Sequence, residues 1–111
     1  MTESINGINF VDLELLYVYS TSTYSTLSTS SILRRFWRIT VPQLAIENHY
    51  LMGEVLALAA LHLAYHRPAR RNYYLSIALK HHQAASQKAV ELLENVTNEN
   101  APVLFIFSLL T

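Results

Sequence analysis

Chemistry in this chain could begin at its histidines. His62 and His66 stand four apart, on one face of any helix that carries them, a spacing that can hold a metal, and the adjacent His81 and His82 could lie nearby. No Asp or Glu separates His62 from His66, the His-Glu-x-x-His pattern is absent, and there is no cysteine. Thiolate catalysis, disulfides and cysteine-ligated zinc are therefore excluded together. The histidine pair reads as structural, and no metal is expected. Serine and threonine are abundant, but no Gly-x-Ser-x-Gly elbow presents a nucleophile. No catalytic residue and no cofactor is expected, so the chain is read as a non-enzyme. Glu54 is the stronger oddity. An acid inside an apolar helix must pair, protonate or reach an edge, and the expected partner is His62, two turns on, or an arginine of a neighbouring helix.

The elements that must position these groups are helical. From Leu51 to Ala64 nearly every residue is apolar, which predicts a buried central helix with Leu58 and Leu61 deep in the core. It is too short and too interrupted, by Glu54 and His62, for a membrane span. Gly53 costs this helix about 1 kcal/mol relative to alanine unless a neighbouring backbone needs the space. Upstream, a flexible lead-in is expected over residues 1–9, followed by a first helix capped by Asn9, with Asp12 in its first turn. Leu13, Leu16, Tyr17, Tyr24 and Leu27 are its expected buried face. A second helix carries Leu33, Phe36, Trp37 and Thr40, and Pro42 should bend or end it.

Downstream, Arg67 to Arg71 reads as a turn into a fourth helix, in which Ala78, His82, Ala85, Ala89, Leu92 and Val96 follow Leu75 as a seam of mostly small residues. Small residues admit a close antiparallel neighbour. Gln83, Gln87, Glu91 and Glu94 should face water. A turn over Thr97 to Asn100 leads to a fifth, strongly apolar helix from Ala101. That helix has no closing signal, and the domain, spanning residues 10–111, is expected to be truncated at its C-terminal end. No strand signal stands out.

Composition bounds the function. The 111 residues are 51% apolar and 14% charged, with a net charge of zero. This is thin polar cover against the soluble norm of about 25% charged, and it predicts a surface that seeks a partner. Neutrality removes the general electrostatic footprint of a nucleic-acid binder, with Arg34, Arg35 and Arg38 as the one local basic cluster. No basic start followed by an apolar run marks an export signal, so an intracellular location, nucleus or cytoplasm, is expected. Tyr24, Trp37, Met52, Leu56, His62, Phe105 and Phe107 are the candidate residues of an apolar pocket or interface. Self-association or a protein partner, through apolar helices left uncovered, is the expected mode of action.

Asp12-Leu13-Glu14-Leu15-Leu16, Ser22-Thr23-Tyr24, Leu27-Ser28, Trp37, Val41-Pro42, the run Leu56 to Ala64, Tyr74, His81-His82 and Phe105 to Ser108 occur in a distinctive order. In this the chain resembles the helical regulatory domain of fungal zinc-cluster transcription factors, particularly the sterol uptake control type, over the N-terminal part of that domain. The resemblance implies packed α-helices belonging to the part of a regulator that does not bind DNA, and a sterol-like hydrophobic molecule as a ligand. The Cys-rich zinc cluster of that family has no counterpart among these residues, so direct DNA binding is not expected. A small helical carrier of a hydrophobic molecule, or a gene fragment without function, are the alternative readings.

Overall fold

The computed structural model of the chain describes residues 4–5 and 8–111. Five helical bodies form an all-α fold, preceded by a two-residue antiparallel ribbon in which β1 (Ser4–Ile5) pairs with β2 (Ile8–Asn9). That ribbon lies where a lead-in without strands was expected, and the remainder of residues 1–9 falls outside the described residues. The first helix, α1 (Phe10–Thr21), starts as the sequence indicates: Asn9 Oδ1 accepts from the backbone N–H of Val11 and Asp12 at 3.0 and 3.2 Å. Its buried face is rotated from the expected one. Leu15 and Tyr19 are fully buried, whereas Leu13 and Tyr17 are exposed and Leu16, Tyr24 and Leu27 are only half-buried. Both stripes have helical spacing, so periodicity alone could not choose between them, and the position of the central helix decides.

Pro42 neither ends nor breaks the second helical body. Short α2 (Ser31–Arg35) passes into a π-helical turn, Phe36–Thr40, and then into α3 (Val41–Glu47), with Pro42 in its first turn. In the π turn the Val41 N–H reaches the Phe36 carbonyl five residues back. The next bond in that register would need an N–H from Pro42, which has none. The Trp37 carbonyl is thus left without a helical donor, and the Tyr19 hydroxyl supplies one from α1 at 2.7 Å. One side chain of the first helix therefore accommodates the proline of the second. Burial raises the Tyr19 pKa and holds its hydroxyl in the donating, neutral form.

The centre of the fold is a helical hairpin. α4 (His49–His66) turns through Arg67 and a 3₁₀ turn at Pro68–Arg70 into α5 (Arg71–Leu93), and the two share the most extensive packing in the chain. Gly53 explains their closeness, since a Cβ there would meet the Ala85 Cβ at 3.3 Å and the His81 carbonyl oxygen at 3.5 Å. Ala78, Ala85 and Ala89 of the predicted seam are buried, but Leu75 and Val96 are exposed and Tyr74 and Ile77 take up burial at the start of α5. Tyr74 is drawn inward by α1. Its hydroxyl donates to Glu14 at 3.4 Å and accepts from Arg67 at 3.1 Å. The last helix, α6 (Ala101–Leu110), buries Val103, Leu104, Ile106, Phe107 and Leu110 against the rest. Among the described residues, no helix is long and apolar enough to cross a membrane.

Candidate functional site

Leu51, Val55, Ala59 and Ala60 of α4 are fully buried in one cluster with Leu15, Tyr19 and Val41. The far face of the same helix is different: Leu58 is half-buried and Leu61 is 48% exposed, not deep in the core as expected. Across from them α5 leaves Leu75 and Leu79 partly in water, and these four leucines line an open groove of about 410 Å³ that the end of α6, Leu110, also borders. A second groove, of about 360 Å³, lies between α5 and α6 and is lined by Val90, Leu93, Leu104 and Phe107. His82 borders both grooves. The helix is apolar all round, yet these helices cover only part of its circumference.

Glu54 stands in the wall of the larger groove, with its partner a histidine of the neighbouring helix. His82 Nδ1 lies 2.9 and 3.1 Å from the two carboxyl oxygens of Glu54, where His62 or an arginine had been expected. The antiparallel hairpin that sets Gly53 on Ala85 also sets Glu54 beside His82, and only the pairing of the two helices reveals it. Glu54 is 5% exposed, and burial raises its pKa while the His82 hydrogen bond and charge act against that rise. Ser86 Oγ lies 3.5 Å from His82 Nε2, so serine, imidazole and carboxyl follow one another in space. Ser86 sits within α5, where the backbone N–H groups around it are committed to helical hydrogen bonds rather than free to face an oxyanion. The arrangement orients His82.

His62 answers Thr23, a buried residue of the 3₁₀ turn Thr23–Thr26, through a 2.8 Å hydrogen bond between the Thr23 hydroxyl and Nδ1. Its pKa is lowered, first by burial and then by the neighbouring His66 ring, whose centroid lies 4.6 Å away. A neutral ring can accept the threonine proton. His81 pairs with Asp12 of α1 at 2.8 Å. Among the described residues no three of His, Cys, Asp and Glu converge as a metal site would require.

The remaining candidate residues are dispersed. Tyr24 is half-buried under the Arg38 guanidinium, 5.4 Å from its ring centroid, and Trp37 is buried with its ring edge-on to Phe36. Leu56 belongs to the core, Met52 is half-buried against it, and Phe107 packs on Tyr50 with ring centroids 5.5 Å apart. Phe105, by contrast, is 64% exposed, and Leu109, one turn on, is 55% exposed. Of the seven candidates, Phe107 reaches a groove and Phe105 an open face. The groove leucines were not among these candidates: Leu58 and Leu61 were expected in the core, Leu75 in the α5 seam, and Leu79 was not named. Their signal was an excess of apolar positions around α4 and α5, which says that something must cover them but not which side remains uncovered.

Residues 14–111 match the fungal specific transcription factor domain. The chain is 27% identical over 93 residues to Sterol uptake control protein 2 of Saccharomyces cerevisiae, covering 83% of this chain and 10% of that protein. It is 32% identical over 108 residues to a Zn(2)-C6 fungal-type transcription factor of Gibberella zeae, covering 91% of this chain and 21% of that protein. Thus the chain spans a tenth and about a fifth of the lengths of these two relatives. No solved structure matches it. With nearly all of its helical residues inside the matched span, the chain belongs to the fungal specific transcription factor domain family.

Proposed function

We propose that these residues act as a regulatory association domain of a zinc-cluster-type transcription regulator, working in the nucleus through helix-mediated protein contacts. The observation that carries this reading is the uncovered apolar surface: Leu61, Leu75 and Leu79 along the groove and, separately, Phe105 and Leu109 exposed on α6. Each large apolar side chain held in water forgoes about 1.5 to 3 kcal/mol of burial, so several on one small fold favour association. DNA contact is assigned elsewhere, because this chain has no cysteine to hold a zinc cluster and no net positive charge.

A second reading takes the 410 Å³ groove as a seat for a hydrophobic molecule of the sterol class. It is supported by the leucine walls with the Glu54–His82 pair as a polar anchor, and by the name of the Saccharomyces relative. Tethering the chain to an unrelated DNA-binding domain upstream of a reporter tests the association reading. The chain should change transcription, and Leu61→Asp/Leu79→Asp should abolish the change at equal protein level. An unaltered reporter, or a variant equal to the parent, would overturn the proposal.

A further inference from the structure

Six residues of α5 form a stripe that runs through both apolar grooves. Leu75, Leu79 and His82 line the larger one, and His82, Ser86, Val90 and Leu93 line the smaller. Steps of three and four residues hold all six on one side of the helix, over about 27 Å at a rise of about 1.5 Å per residue. The four apolar members are between 40% (Leu75) and 61% (Leu93) exposed, and no Asp, Glu, Lys or Arg stands on the stripe. It reads nearly the same from either end. About its midpoint Leu75 corresponds to Leu93, Leu79 to Val90 and His82 to Ser86. A helix with such a stripe is complementary to itself: a copy related by a two-fold axis sets apolar on apolar at both ends and polar on polar in the middle, and the polar step fixes the register.

Charge chooses the direction. Arg71 opens α5 and Glu94 caps its end, both exposed, and neither has an ion-pair partner among the described residues. Each stands at the end of the helix whose dipole it opposes. A parallel copy would add like charge to like at both ends, whereas an antiparallel copy brings Arg71 of one chain within a turn of Glu94 of the other and opposes the two dipoles. The chain also has surface to give up. A compact monomer of its 12.7 kDa exposes about 6,200 Å². This one exposes 7252 Å², a surplus of about 1,000 Å² over that value, against the roughly 800 Å² that each partner loses in a standard interface. We propose that a second copy of this chain packs on the stripe, α5 against α5 and antiparallel. The inference rests on the association reading above and names the partner for its surface.

Because the full chain has no cysteine, introduced thiols report the register. Leu75→Cys and Leu93→Cys, both at exposed positions, should each keep the helix content of the parent by circular dichroism. Mixed in a glutathione redox buffer they should form a disulfide-linked dimer joined from position 75 to position 93. Neither variant alone should link to itself, since like positions of antiparallel copies lie about 27 Å apart and a disulfide spans about 7 Å at most between Cα atoms. Adding Leu79→Asp/Val90→Asp to either partner should abolish the link at unchanged helix content. Lys80→Cys, exposed but off the stripe, is the control for random collision. A mixture that links no better than Lys80→Cys with Leu93→Cys, self-linking of Leu75→Cys alone, or a link that survives the aspartates would each overturn the proposal. A reporter that responds to the tethered chain while the mixture fails to link would remove the second copy as partner and leave the association reading standing. A link formed by a chain that leaves the reporter silent would do the reverse.

Discussion

On one side of α4, Leu51, Val55 and Ala59 are sealed under α1 and α3, and even the awkward Trp37 carbonyl finds a donor in Tyr19. On the other side, Leu58 and Leu61 face Leu75 and Leu79 across a groove in which about half of each exposed leucine meets water. The two faces have nearly the same composition. What separates them is which of them the fold closes. An apolar residue on the closed side contributes to folding, whereas one on the open side is free to contribute to binding.

Aspartate substitutions should break that contrast most sharply. Val55→Asp places an unpaired charge in the sealed interior at a cost of several kcal/mol, enough to exhaust a stability of about 5–15 kcal/mol. The variant should show no cooperative melt by circular dichroism. Leu61→Asp, on the open side, should keep its melt within a few degrees of the parent. Equal effects at both positions would show that the groove is closed in solution.

A smaller effect is expected where the closed side relies on one hydroxyl. Tyr19→Phe leaves the Trp37 carbonyl buried and without a donor, and should cost about 1–3 kcal/mol, read as a lower urea midpoint at unchanged slope. An unchanged midpoint would mean that another donor serves this carbonyl. Acid should then tell the polar groups apart. His62, whose folded pKa lies below its ordinary 6.5, contributes stability that is present above that value and lost as pH falls towards the folded one. Glu54, raised above its ordinary 4.5, does the reverse: its contribution is full below 4.5 and lost as pH rises through the folded value. His62→Gln should therefore flatten the loss of stability below pH 6.5, and Glu54→Gln should steepen the acid limb, in denaturation midpoints measured from pH 4 to 8. Opposite slopes would contradict both assignments. Smallest of all should be Gly53→Ala. The gain of about 1 kcal/mol in helix propensity is offset by a new Cβ 3.3 Å from that of Ala85, leaving a melting shift of a few degrees at most.

The sequence displayed its local signals plainly. Asn9 caps α1, Arg67 to Arg70 turns the hairpin, and Gly53 marks the close approach, because each depends on backbone geometry within a few residues. Pairings across the fold were not legible. Glu54 carries no mark that selects His82 over His62, since both histidines lie on apolar faces and only the register of two helices decides. The same holds for Leu13 and Tyr17, which satisfy helical periodicity as well as Leu15 and Tyr19 do. Pro42 is a local signal that a distant residue completes. The expectation of a bend or an end rests on an α-helical hydrogen-bond register, and the π turn with a distant tyrosine changes that register.

Size-exclusion chromatography with light scattering, comparing the parent with Leu61→Asp/Leu79→Asp, tests most directly whether the open face is an association surface. The parent at micromolar concentration should scatter as a species larger than its 12.7 kDa chain mass, and the variant should return to that mass with its helix content intact. A parent that elutes and scatters as a 12.7 kDa monomer would contradict the account, because the uncovered leucines would then be surface that nothing needs to cover.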